Sequence, residues 1–89
     1  MTRSVSITLQ NTDDARAIIA AILADNPGAA ATQYPSMTKI DCLQRLVVKR
    51  DSVAERLGRD WDPQELQLSL ITLSGNIDED DDQFVLAWH

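Results

Sequence analysis

The first part of the chain alternates strictly between apolar and polar residues over Ser4–Gln10. Such a period of two is typical of a strand with one buried face and one solvent face. The residues expected on the buried face are Val5, Ile7 and Leu9. The opposite face would carry the intervening serine, threonine and glutamine side chains. The pattern therefore predicts a half-buried first strand.

A helix is predicted directly after this strand. Thr12 is a favourable N-cap residue, and Asp13 and Asp14 follow in the first turn, where the helix dipole favours negative charge. The helix is expected to end near Asp25, because the segment Asn26-Pro27-Gly28 cannot continue it.

The predicted helix has two apolar faces of different character. At 100° per residue one arc holds large side chains, namely Ala15, Ile18, Ile19, Ile22 and Leu23. The opposite arc holds only alanines, namely Ala17, Ala20, Ala21 and Ala24. Either these small residues let a helix of another protein approach closely, or they reflect the high helix propensity of alanine.

The middle of the chain predicts further strands. Ala30–Tyr34 suits a short edge strand that ends at Pro35-Ser36. The β-branched and charged residues of Lys39–Arg50 indicate either one long bent strand or two short ones, with Leu46-Val47-Val48 as the buried part.

Two helix starts follow in close succession. Ser52 and Glu55 have the spacing of a capping box, which predicts a short helix over Val53–Leu57 closed by Gly58. The second start signal consists of a capping aspartate, a proline at the first helical position and a glutamate at the third: Asp62, Pro63 and Glu65.

The C-terminal third predicts two strands and a break in alternation. Three leucines alternate with polar residues at Leu66, Leu68 and Leu70. The apolar pair Leu70-Ile71 interrupts that order, so we expect either a β-bulge there or a strand covered on both faces. A turn at Gly75-Asn76, an acidic loop and a last strand follow, the apolar residues of the last strand being Phe84, Leu86 and Trp88.

The predicted element order is β-α-β-β-α-β-β, which indicates an α+β sandwich with short helices packed on mixed or antiparallel sheets. At 89 residues the chain is expected to form a single domain over residues 1–89. Neither an internal repeat nor a linker is visible in the sequence.

Charge and composition limit the possible binding partners and the cellular compartment. Fourteen acidic residues against eight basic ones give a net charge of −6, which disfavours nucleic acid as a partner. The apolar run Ala17–Ala24 is too short to span a bilayer, and the N-terminus lacks the apolar region of a secretory signal. The chain also has a single cysteine, which cannot form an intramolecular disulfide bond. We therefore expect a cytoplasmic protein that does not associate with membranes.

Residues that carry catalysis or bind metals are nearly absent. The one histidine is the last residue, His89, and Cys42 lies in a strand pattern, so we expect neither a catalytic residue nor a metal site. The acidic run Asp78–Asp82 matches the first ligand positions of a calcium loop. The sixth position would be Gln83 instead of glycine, and we therefore favour a solvated hairpin loop.

The strongest signal is a resemblance that extends over nearly the whole chain. The residues that carry it are Leu57-Gly58-Arg59-Asp60-Trp61-Asp62, Gln64-Glu65-Leu66-Gln67, Leu70–Glu79 and Asp82-Gln83-Phe84, with weaker matches at Ala15–Ile19, Asp25-Asn26-Pro27 and Met37–Asp41. They resemble the regulatory (effector or coupling) proteins of phenol hydroxylases, which belong to the methane/phenol monooxygenase regulatory protein family. The chain departs from the pattern at Cys42-Leu43-Gln44, where relatives carry small turn-forming residues, and this leaves the turn geometry open.

The resemblance implies a non-catalytic protein that binds no cofactor. It would dock on the α-subunit of a separate non-haem di-iron hydroxylase, near the canyon that leads to the iron site. Docking would control the access of oxygen and substrate and couple electron delivery to the hydroxylation of phenol-like aromatics. An iron–sulfur flavoprotein reductase would supply the electrons, and its docking region is expected to overlap.

The resemblance also indicates where the partner binds. In relatives the segment matching Leu70–Asn76 lies at the partner surface, so the contact residues expected here are Gln67, Ser69, Thr72, Leu73, Ser74, Gly75 and Asn76. The alanine face of the helix (Ala17, Ala20, Ala21, Ala24) is a secondary candidate. On this hypothesis Gly75→Trp or Thr72→Tyr would leave the fold intact and abolish stimulation. Alternatively, the hydroxyl groups of Thr72 and Ser74 only satisfy the unpaired polar groups of a sheet edge.

Two other classes of function are alternatives to this one. A small-molecule-sensing α+β module would need a pocket with converging polar groups. An enzyme is disfavoured by the lack of paired histidine and cysteine residues and of glycine-rich loops.

Overall fold

A computed structural model describes residues 3–88 of the chain, so His89 lies outside the described residues. This part contains β1 (Ser4–Gln10), α1 (Asp13–Asp25), β2 (Ala30–Gln33), β3 (Met37–Leu43), β4 (Arg45–Lys49), α2 (Arg50–Leu57), a 3₁₀ helix (Pro63–Leu68), β5 (Leu70–Ser74), β6 (Asn76–Glu79) and β7 (Gln83–Ala87). None of the described helices is long and apolar enough to cross a membrane.

The strands form two antiparallel sheets. The larger has the order β2-β3-β1-β5 and the smaller the order β4-β7-β6. Side chains of both sheets, of α1 and of α2 share one buried cluster. This arrangement confirms the α+β class, with antiparallel sheets. The predicted element order lacked two features, the separation of β3 from β4 and the strand β6.

The first strand and helix agree with their prediction. Val5, Ile7 and Leu9 are fully buried, as the alternation of β1 requires. The Oγ1 atom of Thr12 accepts a hydrogen bond from the N–H of Ala15 at 3.1 Å, so Thr12 caps α1. Capping satisfies one of the backbone donors that a helix start leaves free.

The predicted faces of α1 need one correction. Ala21 was assigned to the exposed alanine arc and is fully buried, whereas Leu23 was assigned to the buried arc and is 39% exposed. Both α2 and β4 pack against α1, so its buried surface is rotated relative to the arc that side-chain size predicts. Ala20 and Ala24 are exposed as expected, and Ala17 is half-buried.

The segment Lys39–Arg50 resolves into two strands that belong to different sheets. The chain passes from β3 to β4 at Gln44, whose φ of 68° lies in the left-handed region. Leu46 and Val48 are fully buried and Val47 is half-buried. The turn geometry left open at Cys42-Leu43-Gln44 is thus a corner between sheets, with Cys42 buried in β3.

The capping box predicted at Ser52 and Glu55 is wrong. Helix α2 begins earlier, at Arg50, and its N-cap residue Lys49 makes no side-chain capping bond. The N–H of Arg50 donates instead to the carbonyl of Asp82 at 2.8 Å. A backbone acceptor from the β6–β7 turn therefore replaces the side-chain cap, which no local pattern reveals. Gly58 ends the helix in the left-handed conformation, as predicted.

The strand predicted over Leu66–Ser69 is wrong as well, because a 3₁₀ helix covers Pro63–Leu68. Asp62 and Glu65 form a reciprocal capping box there: Asp62 accepts from the N–H of Gln64 at 2.9 Å, and Glu65 accepts from the N–H of Asp62 at 2.9 Å. The start signal read from the sequence is therefore correct, and it overrides the alternation of leucines that follows.

The acidic segment forms part of a hairpin. Asp78 and Glu79 lie in β6, which the sequence placed in a loop, and one Oδ1 atom of Asp80 accepts from the N–H groups of Asp82 (2.8 Å) and Gln83 (2.9 Å). Strand β7 ends at Ala87, so Trp88 lies just beyond the strand predicted to contain it.

Candidate functional site

A bulge at Ile71 shapes the segment predicted to contact a partner. Leu9 pairs with Leu70 and Thr8 pairs with Thr72, so the register between β1 and β5 skips Ile71. Leu70 and Leu73 pack against the buried cluster, whereas Ile71 and Thr72 are exposed. Of the two alternatives that the break in alternation left open, the β-bulge is the one present, and it turns hydroxyl and apolar side chains outward together.

The bulge aligns hydroxyl groups across two strands. Thr72 lies opposite Thr8, and Ser74 lies opposite Ser6. On its other side β1 pairs with β3, where Thr8 faces Lys39 and Ser6 faces Asp41. Since alternate residues of a strand share a face, these side chains lie on the side of the large sheet that is turned away from the core.

We call this surface the outer face. Its members pair with one another across the four strands: Ser6, Thr8, Ala30, Thr32, Lys39, Asp41, Thr72 and Ser74. From the sequence alone, only the two members on β5, Thr72 and Ser74, were expected to contact a partner. Alternation in β1 already placed Ser6 and Thr8 on a polar face, but nothing in the sequence said that β1 and β5 are neighbours.

The outer face carries little charge. Lys39 and Asp41 are its only ionisable members, and their Nζ and Oδ1 atoms lie 3.9 Å apart with the two side chains 45% and 43% exposed. An ion pair that is so exposed contributes little to stability in water. The exposed hydroxyl groups of the face are those of Thr32, Thr72 and Ser74, whereas Thr8 is only 5% exposed. The face carries one loose, mutually compensated ion pair, although the chain has a net charge of −6.

The other predicted contact residues differ in their surroundings. Gln67 and Asn76 are exposed, and Leu73 is half-buried. Ser69 is only 5% exposed, and its Oγ atom lies 3.5 Å from Oγ1 of Thr12. The expectation that Ser69 offers a free hydroxyl donor to a partner is therefore wrong, because this side chain faces the junction of β1 and α1.

Gly75 occupies the corner between β5 and β6, where the chain passes from the large sheet to the small one. Its φ is 141°, and a Cβ atom there would lie 2.9 Å from Cγ of Leu86 and 3.1 Å from Cγ1 of Val5. Both neighbours are fully buried. A side chain at this position would therefore strain the core, and the expectation that Gly75→Trp leaves the fold intact is wrong.

The alanine face of α1 is not part of the outer face. The helix contributes Ile18 and Ile22 to the cluster that contains Ile7 and Ile40, so it packs on the core side of the large sheet. The hydroxyl groups point to the opposite side. One flat partner surface consequently cannot contact Ala20 and Thr72 at the same time.

An open groove of about 500 Å³ lies between α1 and the β2–β3 turn. Two of its polar side chains are already hydrogen-bonded: Oγ1 of Thr38 donates to Oδ1 of Asn11 at 2.7 Å, and Nδ2 of Asn11 donates to the carbonyl of Tyr34 at 3.1 Å. Groups that are satisfied internally offer a ligand little, so the groove does not favour a small-molecule sensor. Within residues 3–88, no cluster of potential metal ligands is found.

Comparison with known proteins identifies a family and relatives that this chain resembles. The model of the MmoB/DmpM family matches residues 3–87. The chain is 47% identical, over 99% of its length and 98% of the relative's, to the stimulatory component DmpM of a phenol 2-monooxygenase from Pseudomonas sp. (strain CF600). It is 31% identical, over 90% of its length and 71% of the relative's, to the effector component of a propane 2-monooxygenase from Gordonia sp. (strain TY-5).

A solved structure shares the fold throughout. A chain in the structure of a phenol hydroxylase–regulatory protein complex superposes with a TM-score of 0.93 and 44% sequence identity, covering 98% of this chain and 100% of that one. Both the family model and this superposition extend over essentially the whole described structure. The chain belongs to the MmoB/DmpM family of monooxygenase regulatory proteins.

Proposed function

We propose that this protein is the cofactor-free effector component of a bacterial multicomponent di-iron monooxygenase of the phenol hydroxylase type. It would bind the hydroxylase component and stimulate and couple the O2- and NADH-dependent hydroxylation of phenol-like aromatics. The observation that carries the proposal is the superposition on a chain of a phenol hydroxylase–regulatory protein complex. The 47% sequence identity to a stimulatory component, over 99% of this chain, supports the same role.

The proposed contact surface is the outer face together with the exposed residues that flank it, Gln67 and Asn76. Hydroxyl groups donate and accept hydrogen bonds, so they can pair with either kind of polar group on a partner. Because only one loose ion pair must lose its solvent, docking on this face avoids the large penalty of burying unpaired charge. The outer face carries no net charge although the protein is acidic overall. This favours the outer face, and not the acidic β6–β7 hairpin, as the contact surface.

Stimulation by contact follows from linked equilibria. A binder shifts its partner between two conformations only as far as it binds one more tightly than the other. Raising a minor conformation from about 1% to about 99% takes a difference of about 5.5 kcal/mol. An interface of standard size, about 1,600 Å² in total, can supply that difference. The chain therefore needs no catalytic group of its own to change the turnover of an enzyme.

The proposal extends to the site on the hydroxylase and to the compartment. We place the docking site at the canyon of the α-subunit near the di-iron centre, where an iron–sulfur flavoprotein reductase would compete for overlapping surface. Residues 1–89 would act as a single effector domain in the cytoplasm, where NADH is available. The buried, unpaired Cys42 is compatible with a reducing compartment.

A titration tests the proposed function. The hydroxylase and reductase of the same organism are combined with NADH and phenol, and catechol formed per NADH consumed is measured as this protein is added. We expect both the rate and the ratio to rise and then saturate near one equivalent per active site. An unchanged rate and ratio at every dose would refute the effector role.

A further inference from the structure

The outer face is too small to form the whole interface. Four strands about 4.8 Å apart and about five residues of about 3.3 Å each give a footprint of about 300 Å². A standard interface removes about 800 Å² from each partner. The contact must therefore extend past the edge of the sheet. Among the described residues, the most exposed large apolar side chain is that of Leu68.

Two exposed aliphatic side chains lie at the end of the sheet where β5 begins. Leu68 is 79% exposed and Ile71 is 46% exposed, and two largely buried residues, Ser69 and Leu70, separate them. We call Leu68 and Ile71 the apolar pair. A single exposed leucine would need no explanation. Here, however, the whole segment 66–77 carries no charged residue, in a chain with fourteen acidic side chains.

Leu68 is held in place on both sides along the chain. Two residues earlier, Leu66 is 1% exposed and anchors the 3₁₀ helix in the core. One residue later, the carbonyl of Ser69 accepts from the N–H of Gln10 at 2.8 Å, and the N–H of Ser69 donates to the carbonyl of Leu66 at 3.1 Å. The capping box at Asp62 fixes the start of the same helix. The backbone of Leu68 is thus tethered, although its side chain is exposed.

Tethering matters for binding because ordering a mobile side chain or loop costs part of the interaction energy. An aliphatic side chain on a fixed backbone avoids much of that cost. The bond from Gln10 to Ser69 also places Leu68 beside the end of β1, where the hydroxyl groups of the outer face begin. Apolar and hydroxyl surfaces in this arrangement resemble the apolar centre and polar rim of a protein interface.

We infer that Leu68, supported by Ile71, is the apolar anchor of this protein on the hydroxylase component and inserts into an apolar recess of that partner. The inference rests on the proposed function and extends its contact surface beyond the sheet. The anchor supplies affinity, whereas the hydroxyl groups of the outer face supply the differential contacts that change the conformation of the hydroxylase.

Alanine variants of exposed leucines test the anchor. Dissociation constants for the hydroxylase component of the same organism are measured by calorimetry for the wild type, Leu68→Ala and the control Leu23→Ala. Leu23 is also exposed but lies on α1, on the core side of the large sheet. We expect Leu68→Ala to raise Kd about 10- to 100-fold and Leu23→Ala to leave it unchanged. At saturating protein, Leu68→Ala should still give full stimulation.

Five outcomes separate the alternatives. An unchanged Kd for Leu68→Ala, or an equal rise for Leu23→Ala, overturns the anchor and leaves the effector role standing. A loss of maximal stimulation at saturation would also overturn it, because Leu68 would then act on the hydroxylase conformation. If Leu68→Ala abolishes self-association in sedimentation while hydroxylase binding persists, the apolar pair joins two copies of this chain and the inference is wrong. Failure of the wild type to bind the hydroxylase refutes the proposed function itself.

Discussion

The side-chain amide of Asn26 pairs with both backbone groups of Val47. Oδ1 of Asn26 accepts from the N–H of Val47 at 2.9 Å, and Nδ2 donates to the carbonyl of Val47 at 2.8 Å. Nδ2 also donates to the carbonyl of Ile22 at 2.7 Å. Since Val47 lies on β4, an edge strand, the amide takes the position of a neighbouring strand and joins the end of α1 to the small sheet.

The first prediction concerns this link. Asn26→Ala should lower the free energy of unfolding by about 2–4 kcal/mol, because three hydrogen bonds are lost and buried backbone groups remain unpaired. Urea unfolding followed by circular dichroism measures the change. Asn26→Asp keeps the acceptor and replaces the donor, so it should also destabilise the protein. If both variants unfold at the wild-type midpoint, the link contributes nothing to stability.

The second prediction uses the three glycines as a matched series. Gly75→Ala should destabilise the protein by more than about 2 kcal/mol, because the new Cβ overlaps buried side chains and the φ is positive. Gly58→Ala has the positive φ but open space, and should cost about 1–2 kcal/mol. Gly28→Ala has neither problem and should be neutral or slightly stabilising. Equal midpoints for all three variants in urea unfolding would contradict the proposed strain at Gly75.

The third prediction maps the outer face. Thr72→Tyr should keep the fold, because Thr72 is exposed on the edge strand β5, and should abolish stimulation of the hydroxylase. Thr32→Tyr makes the same change at the opposite edge of the same face. Turnover with phenol is compared for both variants. Loss in both indicates contact across the whole face, and loss in Thr72→Tyr alone confines it to the β5 side. Full activity in both would remove the outer face from the interface.

The fourth prediction distinguishes structure from charge in the acidic hairpin. Asp80→Ala removes the acceptor for two backbone N–H groups and should cost about 1–2 kcal/mol of stability. Asp80→Asn keeps an acceptor oxygen and reduces repulsion with Asp81 and Asp82, so its unfolding midpoint should match or exceed that of the wild type. A midpoint for Asp80→Asn as low as that for Asp80→Ala would show that the charge itself is required.

The sequence by itself determined the features that depend on neighbours a few residues apart. The alternation of β1, the cap of α1 at Thr12 and the capping box at Asp62 were predicted and are present. The bulge at Ile71 is one of the two alternatives that the break in alternation left open. Each rests on backbone geometry or on a hydrogen bond within one turn or one strand, which a local pattern records. Family membership likewise followed from residues spread over the whole chain.

Tertiary structure alone decided which of these elements meet. Thr8 and Thr72 are far apart in the chain, and only the pairing of β1 with β5 joins their hydroxyl groups on one face. The burial of Ser69 depends on β1 and α1, the start of α2 depends on Asp82, and the space around Gly75 depends on Leu86. Contacts between distant segments are set by the packing of the complete core, and no local pattern encodes them. The sequence therefore indicated the segment around Thr72 as a contact candidate. It did not indicate the surface that this segment forms with β1 and β3.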